Sequence, residues 1–143
     1  IIDNELLLCH VCRMSWKDKY SPRLVKDATG NLVEIDFADY HCQLLLDRYA
    51  DGGLCLRLVD MNHFDRIAIA TSAVQDARPP SGCVFIKDYA ENAGMLETLC
   101  HAGVITDTGE RVSTGYAELT VARLAPQVQQ QFEAWVQSNE KNR

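Results

Sequence analysis

A chain of 143 residues, 47% hydrophobic and 24% charged, has the composition of one globular domain with a core of its own, which sets aside disorder and fibrous repeats. A net charge of −6 with dispersed Lys and Arg is the wrong electrostatic footprint for phosphate-backbone binding, so no direct nucleic-acid partner is expected. No apolar run reaches the roughly 18 residues that cross a bilayer, and Ile1-Ile2-Asp3 opens neither a basic region nor a signal-peptide core. No membrane partner is expected either, although a start without methionine leaves room for a trimmed targeting segment.

In chain order, Leu6, Leu7, His10, Val11 and Met14 recur at helical spacing behind Asp3 as N-cap, predicting a short helix. Pro22 and the cluster Asp27-Ala28-Thr29-Gly30-Asn31 then interrupt the chain, so residues 1–32 read as an N-terminal appendage to a core of residues 33–124. Val33, Ile35 and Phe37 alternate, followed by an apolar run from His41 to Tyr49. Asp51-Gly52-Gly53 supplies the positive φ a tight hairpin needs before Leu54, Leu56 and Leu58. A turn at 60–65 and the run Ile67-Ala68-Ile69-Ala70 complete a three-stranded antiparallel meander.

Pro79-Pro80-Ser81-Gly82 belongs to a surface connection. Cys83-Val84-Phe85-Ile86 reads as a buried strand, and a helix over about 92–102 carries Met95, Leu96, Leu99 and Cys100 on one face, with Gly103 placed to stop it. Val104-Ile105, a turn at Thr108-Gly109 and a strand over 116–123 finish a strand-helix-strand-strand unit with antiparallel pairing. Val128, Phe132, Trp135 and Val136 then define one face of a C-terminal helix within 125–143, Pro126 sitting in its first turn. The predicted class is α+β.

The segment Phe85-Ile86-Lys87-Asp88-Tyr89-Ala90-Glu91-Asn92-Ala93-Gly94-Met95 joins a strand, a polar turn and a helix in fixed order. Together with Ala102-Gly103-Val104-Ile105, Thr114-Gly115-Tyr116, Val121-Ala122-Arg123-Leu124 and the earlier hairpin Tyr49-Ala50-Asp51-Gly52-Gly53-Leu54, it resembles an uncharacterised family of small bacterial proteins found on plasmids and integrating mobile elements. The likeness runs from about Tyr40 to Leu124 and implies a setting, an accessory protein of a mobile element, without implying an activity.

Cys9-His10-Val11-Cys12 is half of a tetrahedral zinc site, since two thiolates at this spacing can share one ion. The other half would have to come from His41-Cys42 or Cys100-His101, and neither repeats the spacing, so no metal and no cofactor is expected. Four of the six cysteines sit in apolar stretches, where Cys55 and Cys83 read as small buried hydrophobes, and this usage favours a reducing, cytoplasmic compartment over a disulfide framework. A cysteine nucleophile would need a histidine base within hydrogen-bond reach, and Cys100 and His101 point about 100° apart on a helix. Lys87, Asp88, Glu91 and Asn92 are the candidate binding residues. The competing reading of them is a capping box with Asp88 as N-cap and Glu91 three residues on. The expected function is a non-enzymatic accessory protein that binds another protein. The alternatives are an inhibitor of a host defence system, of the anti-restriction or anti-CRISPR kind, and a small cysteine-dependent enzyme.

Overall fold

The computed structural model describes residues 20–115 and 117–141, so the helix expected around Leu6 to Met14 and the pair Cys9 and Cys12 lie outside the described residues. Among the described residues two antiparallel sheets and two α-helices make the α+β architecture. The first sheet runs β1 (Glu34–Phe37), β2 (Tyr40–Arg48), β3 (Leu54–Asp60) and β4 (Arg66–Ile69), in that order. The second holds β5 (Cys83–Ile86), β6 (Ile105–Ser113) and β7 (Glu118–Leu124) in the order β5-β7-β6. Helix α1 (Met95–His101) lies between β5 and β6 in sequence, and α2 (Pro126–Lys141) follows β7.

Alternation explains the first sheet. Cys42, Leu44 and Leu46 of β2 and Leu56 and Leu58 of β3 have no exposure on the inner face. Leu45 and Val59 point the other way into a small cluster with Leu24. Each fully buried leucine contributes about 1.5–3 kcal/mol, which holds this register against a one-residue slip. Gly52, at φ +92, builds the β2–β3 turn as Asp51-Gly52-Gly53 predicted, and Tyr49 N–H closes it on Gly53 O at 2.8 Å.

Residues 70–72 join the two sheets. Ala70 donates its N–H to Leu56 O of β3 at 2.9 Å and accepts from Lys87 N–H at 3.0 Å, while Ser72 N–H reaches Phe85 O of β5 at 3.0 Å. The inner faces therefore share one core, containing Leu44, Leu56, Ile86, Ala122 and Leu124, onto which α2 packs Val128 and Phe132. Helix α1 packs on both β1 and β6, one edge of each sheet, with Met95 and Leu99 fully buried. It ends as predicted at Gly103, φ +78, where Val104 N–H bonds Leu99 O and Gly103 N–H bonds Cys100 O, both at 3.1 Å.

Three details differ from the sequence reading. The first sheet has four strands rather than three, because β1 turns straight into β2 through Ala38 and Asp39, both at positive φ (52° and 67°). The turn expected at Thr108-Gly109 is instead a bulge within the nine-residue β6, where the register against β7 slips between Asp107 and Arg111. The hairpin closes later, where Thr114 N–H bonds Ala117 O at 2.9 Å, and β7 begins at Glu118. Ahead of β1, Leu24 and Val25 pack against the first sheet, while residues 28–32 are exposed. Val25 is wholly buried, donates its N–H to Leu44 O at 2.9 Å, and accepts from Val33 N–H. Gln131 of α2 fixes the same segment by donating to Pro22 O and Leu24 O and accepting from Lys26 N–H. Among the described residues no helix is long and apolar enough to cross a membrane.

Candidate functional site

The strand-to-helix turn after β5 carries all four predicted site residues, and the structure divides them. Lys87 leaves the sheet with its side chain paired to Glu91 and its ammonium 5.3 Å from the centroid of the Tyr89 ring. The hydrogen bond from Lys87 draws Glu91 below the usual carboxylate range, and the same bond raises Lys87. Glu91 is exposed, so water screens the pair and it adds little to stability. Tyr89 is 37% exposed, one of only three large hydrophobic residues so open among the described residues. Lys87, Tyr89 and Glu91 thus form one surface group.

Asp88 and Asn92 serve the fold. Ala90–Asn92 form a 3-10 turn and Gly94, at φ +94, separates it from α1, so the helix starts at Met95 and Asp88 is not its N-cap in the expected local sense. Instead Asp88 Oδ1 accepts Leu96 N–H at 2.9 Å, satisfying a first-turn donor from eight residues away. Glu91 does not complete a capping box, because its carboxylate is held by Lys87. Asn92 is 2% exposed and donates Nδ2–H to Ile69 O at 2.7 Å, which ties the turn to the edge of β4. Its amide faces the interior.

Beside Tyr89 runs a shallow groove of about 480 Å³ lined by Ser72, Val74, Gln75, Thr114 and Leu119. Its floor belongs to a satellite cluster in which Phe85, Leu119 and Val121 pack with Val74 and Val112. The groove joins the 72–75 connection to the β6–β7 turn, two segments far apart in sequence. Tyr89 is the exposed residue of this turn that the sequence reading passed over. Its position between Lys87 and Glu91 in the motif was the available signal.

The remaining reactive groups are spread through the molecule. Cys42 has no exposure and burial, reinforced by Asp60 and Asp36, pushes its thiol up to about 11, the wrong direction for a nucleophile. His41, adjacent in sequence, faces the opposite side of the sheet, where Nδ1–H donates to Asp36 at 2.6 Å and Nε2–H to Glu34 at 3.1 Å. Hydrogen bonds to Asp36 first and Glu34 second raise its pKa, which favours an imidazolium and leaves neither nitrogen free to ligate. His41 and Cys42 therefore do not converge on one ion. Cys55 and Cys83 are buried, Cys100 is half-buried, and all four described cysteines are free thiols. Among the described residues no three potential ligands gather around one point. Asp60 is nearly buried and its carboxyl is lowered by Asn62 N–H and then by His63, a local arrangement that closes the β3–β4 turn.

No protein-family model, curated protein or solved structure matches the chain.

Proposed function

We propose that this protein is a non-enzymatic accessory protein of a mobile genetic element, acting in the cytoplasm by binding another protein through the face around Tyr89. The observation that carries the reading is the exposed Tyr89 ring, held by Lys87 and bordered by Glu91 at the rim of an apolar-floored groove. Tyrosine anchors of this kind dominate interfaces because a rigid, amphipathic ring buries much area at low entropic cost. Lys87 and Glu91 carry opposite charges beside it and would set orientation and association rate more than affinity. The mobile-element setting rests on the resemblance of the segment Phe85 to Met95 and its flanking motifs.

The test is capture from a bacterial lysate with the tagged chain, in parallel with Tyr89→Ser and Lys87→Glu. One partner retained in stoichiometric amount by the unmodified chain, and lost by both variants at unchanged melting temperature, is the expected result. Equal capture by the variants, or no partner at all, refutes the surface. If the partner is a nuclease or an effector complex, the protein is a defence inhibitor. The cysteine-enzyme alternative draws no support from Cys42, whose thiol burial keeps protonated.

A further inference from the structure

A second concavity, of about 370 Å³, opens where the two sheets diverge. The tip of the β2–β3 hairpin forms one side, the connection from Thr71 to Gly82 another, and α2 closes it with Gln129 and Phe132. Leu54, Val84 and Leu124, each at most 8% exposed, give it an apolar floor. A volume in this range suits a small organic molecule.

Its polar lining is uneven in a way that points to a ligand. Tyr49 Oη and Thr71 Oγ1 lie 2.8 Å apart, and Thr71 Oγ1 also accepts Leu56 N–H at 3.2 Å. The pair owns two hydroxyl protons, of which one lies between the oxygens. Whichever residue donates it, the other proton finds no oxygen or nitrogen acceptor in a hydrogen bond among the described residues, and for Tyr49 the alternative partner is the weakly accepting Cys55 thiol. Thr71 is only 4% exposed and Tyr49 is half-buried, so the pair is partly withdrawn from bulk water, and a hydrogen bond left unmade there is costly.

On the rim stands Arg78, whose guanidinium donates to the carbonyl of Asp51 at 3.1 Å and has no carboxylate in ion-pair reach among the described residues. The carboxylate of Asp51, on the same rim, is engaged by Gly53 N–H at 2.8 Å. The lining therefore offers a spare hydroxyl donor, an arginine without a counter-ion among the described residues, and an apolar floor.

We propose that this cleft binds a small amphipathic carboxylate, its hydrocarbon body on Leu54, Val84 and Leu124 and its acid group on the donor side formed by Arg78 and the Tyr49–Thr71 hydroxyls. Arginine favours such a group because its planar fork matches two carboxylate oxygens. The site is independent of the Tyr89 surface, although residues 72–74 line both concavities.

The experiment is titration of the full, ¹⁵N-labelled chain with octanoate, octanamide and octylamine, followed by amide chemical shifts. Octanoate is expected to give saturable shifts confined to the hairpin tip, the 71–82 connection and the start of α2, with octanamide weaker and octylamine without effect. Arg78→Ala should weaken octanoate about tenfold, the scale of one charged hydrogen bond. Asp51→Asn keeps the acceptor for Gly53 and removes a like charge, so it should tighten binding. An unperturbed spectrum up to the solubility limit, equal binding of octylamine, or unchanged affinity in Arg78→Ala overturns the proposal. Because Tyr89 takes no part, loss of partner capture in Tyr89→Ser leaves these titrations unaffected.

Discussion

Replacing Asn92 by alanine separates the interior role of this residue from any role at the surface. Its side chain is 2% exposed and makes a 2.7 Å hydrogen bond to Ile69 O, so truncation removes a buried bond and leaves that carbonyl without its donor. The net bond is worth about 1 kcal/mol and the orphaned acceptor adds a similar amount, giving a loss of about 2 kcal/mol. For a chain of this size that corresponds to a fall of about 6–8 °C in melting temperature, measurable by calorimetry or circular dichroism. Asn92→Asp is a sharper version, because the near-isosteric carboxylate cannot donate to Ile69 O and is charged at neutral pH. Burial disfavours the charged form, so the folded-state pKa of the introduced carboxyl would rise above its unfolded value of about 3.9. The deficit should then be smallest below that value and grow as pH rises through the folded pKa. A melting temperature within about 1 °C of the unmodified chain in Asn92→Ala would show that the Ile69 bond does not hold the turn to β4, and the interior assignment of Asn92 would fail.

Asp88→Ala should cost about 0.5–2 kcal/mol through loss of the Leu96 N–H acceptor, whereas Glu91→Ala should leave chemical denaturation unchanged because its ion pair with Lys87 is exposed at the Glu91 side; a reversed ranking would restore the capping-box reading. Ala38→Gly should raise stability by about 0.5–1 kcal/mol, since Ala38 sits at φ +52 in a two-residue hairpin turn that favours glycine, and denaturant midpoints without a gain would contradict the left-handed geometry. His41 has a folded pKa raised above the ordinary imidazole value, so its contribution is complete below about pH 6.5 and disappears as pH rises through the folded value. Its ring resonances should titrate above that of a model imidazole, and in Asp36→Asn the midpoint should fall toward it.

Local chemistry made much of this fold legible. The β2–β3 hairpin follows from alternating leucines on either side of Gly52, and the end of α1 from one glycine able to adopt positive φ after a run of helical spacing. The span of α2 follows from Pro126 and the apolar face through Val128 and Phe132. These features are set by residues a few positions apart, so the chain announces them without its tertiary context. The β1–β2 turn was not announced, because Ala38 and Asp39 hold positive φ without the glycine or asparagine that marks such turns, and pairing of Ile35 with Cys42 overrides the local preference. Gly109 likewise looked like a turn, and only the pairing of β6 with β7 on both sides of it makes it a bulge.

The candidate sites divide on the same principle. The polar turn after β5 could be located from its residues, but whether each side chain faces water or protein depends on what packs against it. Ile69 of β4, twenty-three residues away, draws Asn92 inward, while Tyr89 is left exposed. The cleft carries no sequence signature at all. Tyr49, Thr71, Arg78 and Phe132 come from four separate segments, and they meet beside residues 70–72, which hydrogen-bond to both β3 and β5 and so join the two sheets. The sequence by itself determined the elements, their ends and their buried faces, since those depend on neighbouring residues and backbone preference. Tertiary structure alone decided which polar side chains are enclosed and which donors lack partners, because burial is a property of packed surfaces rather than of residue type.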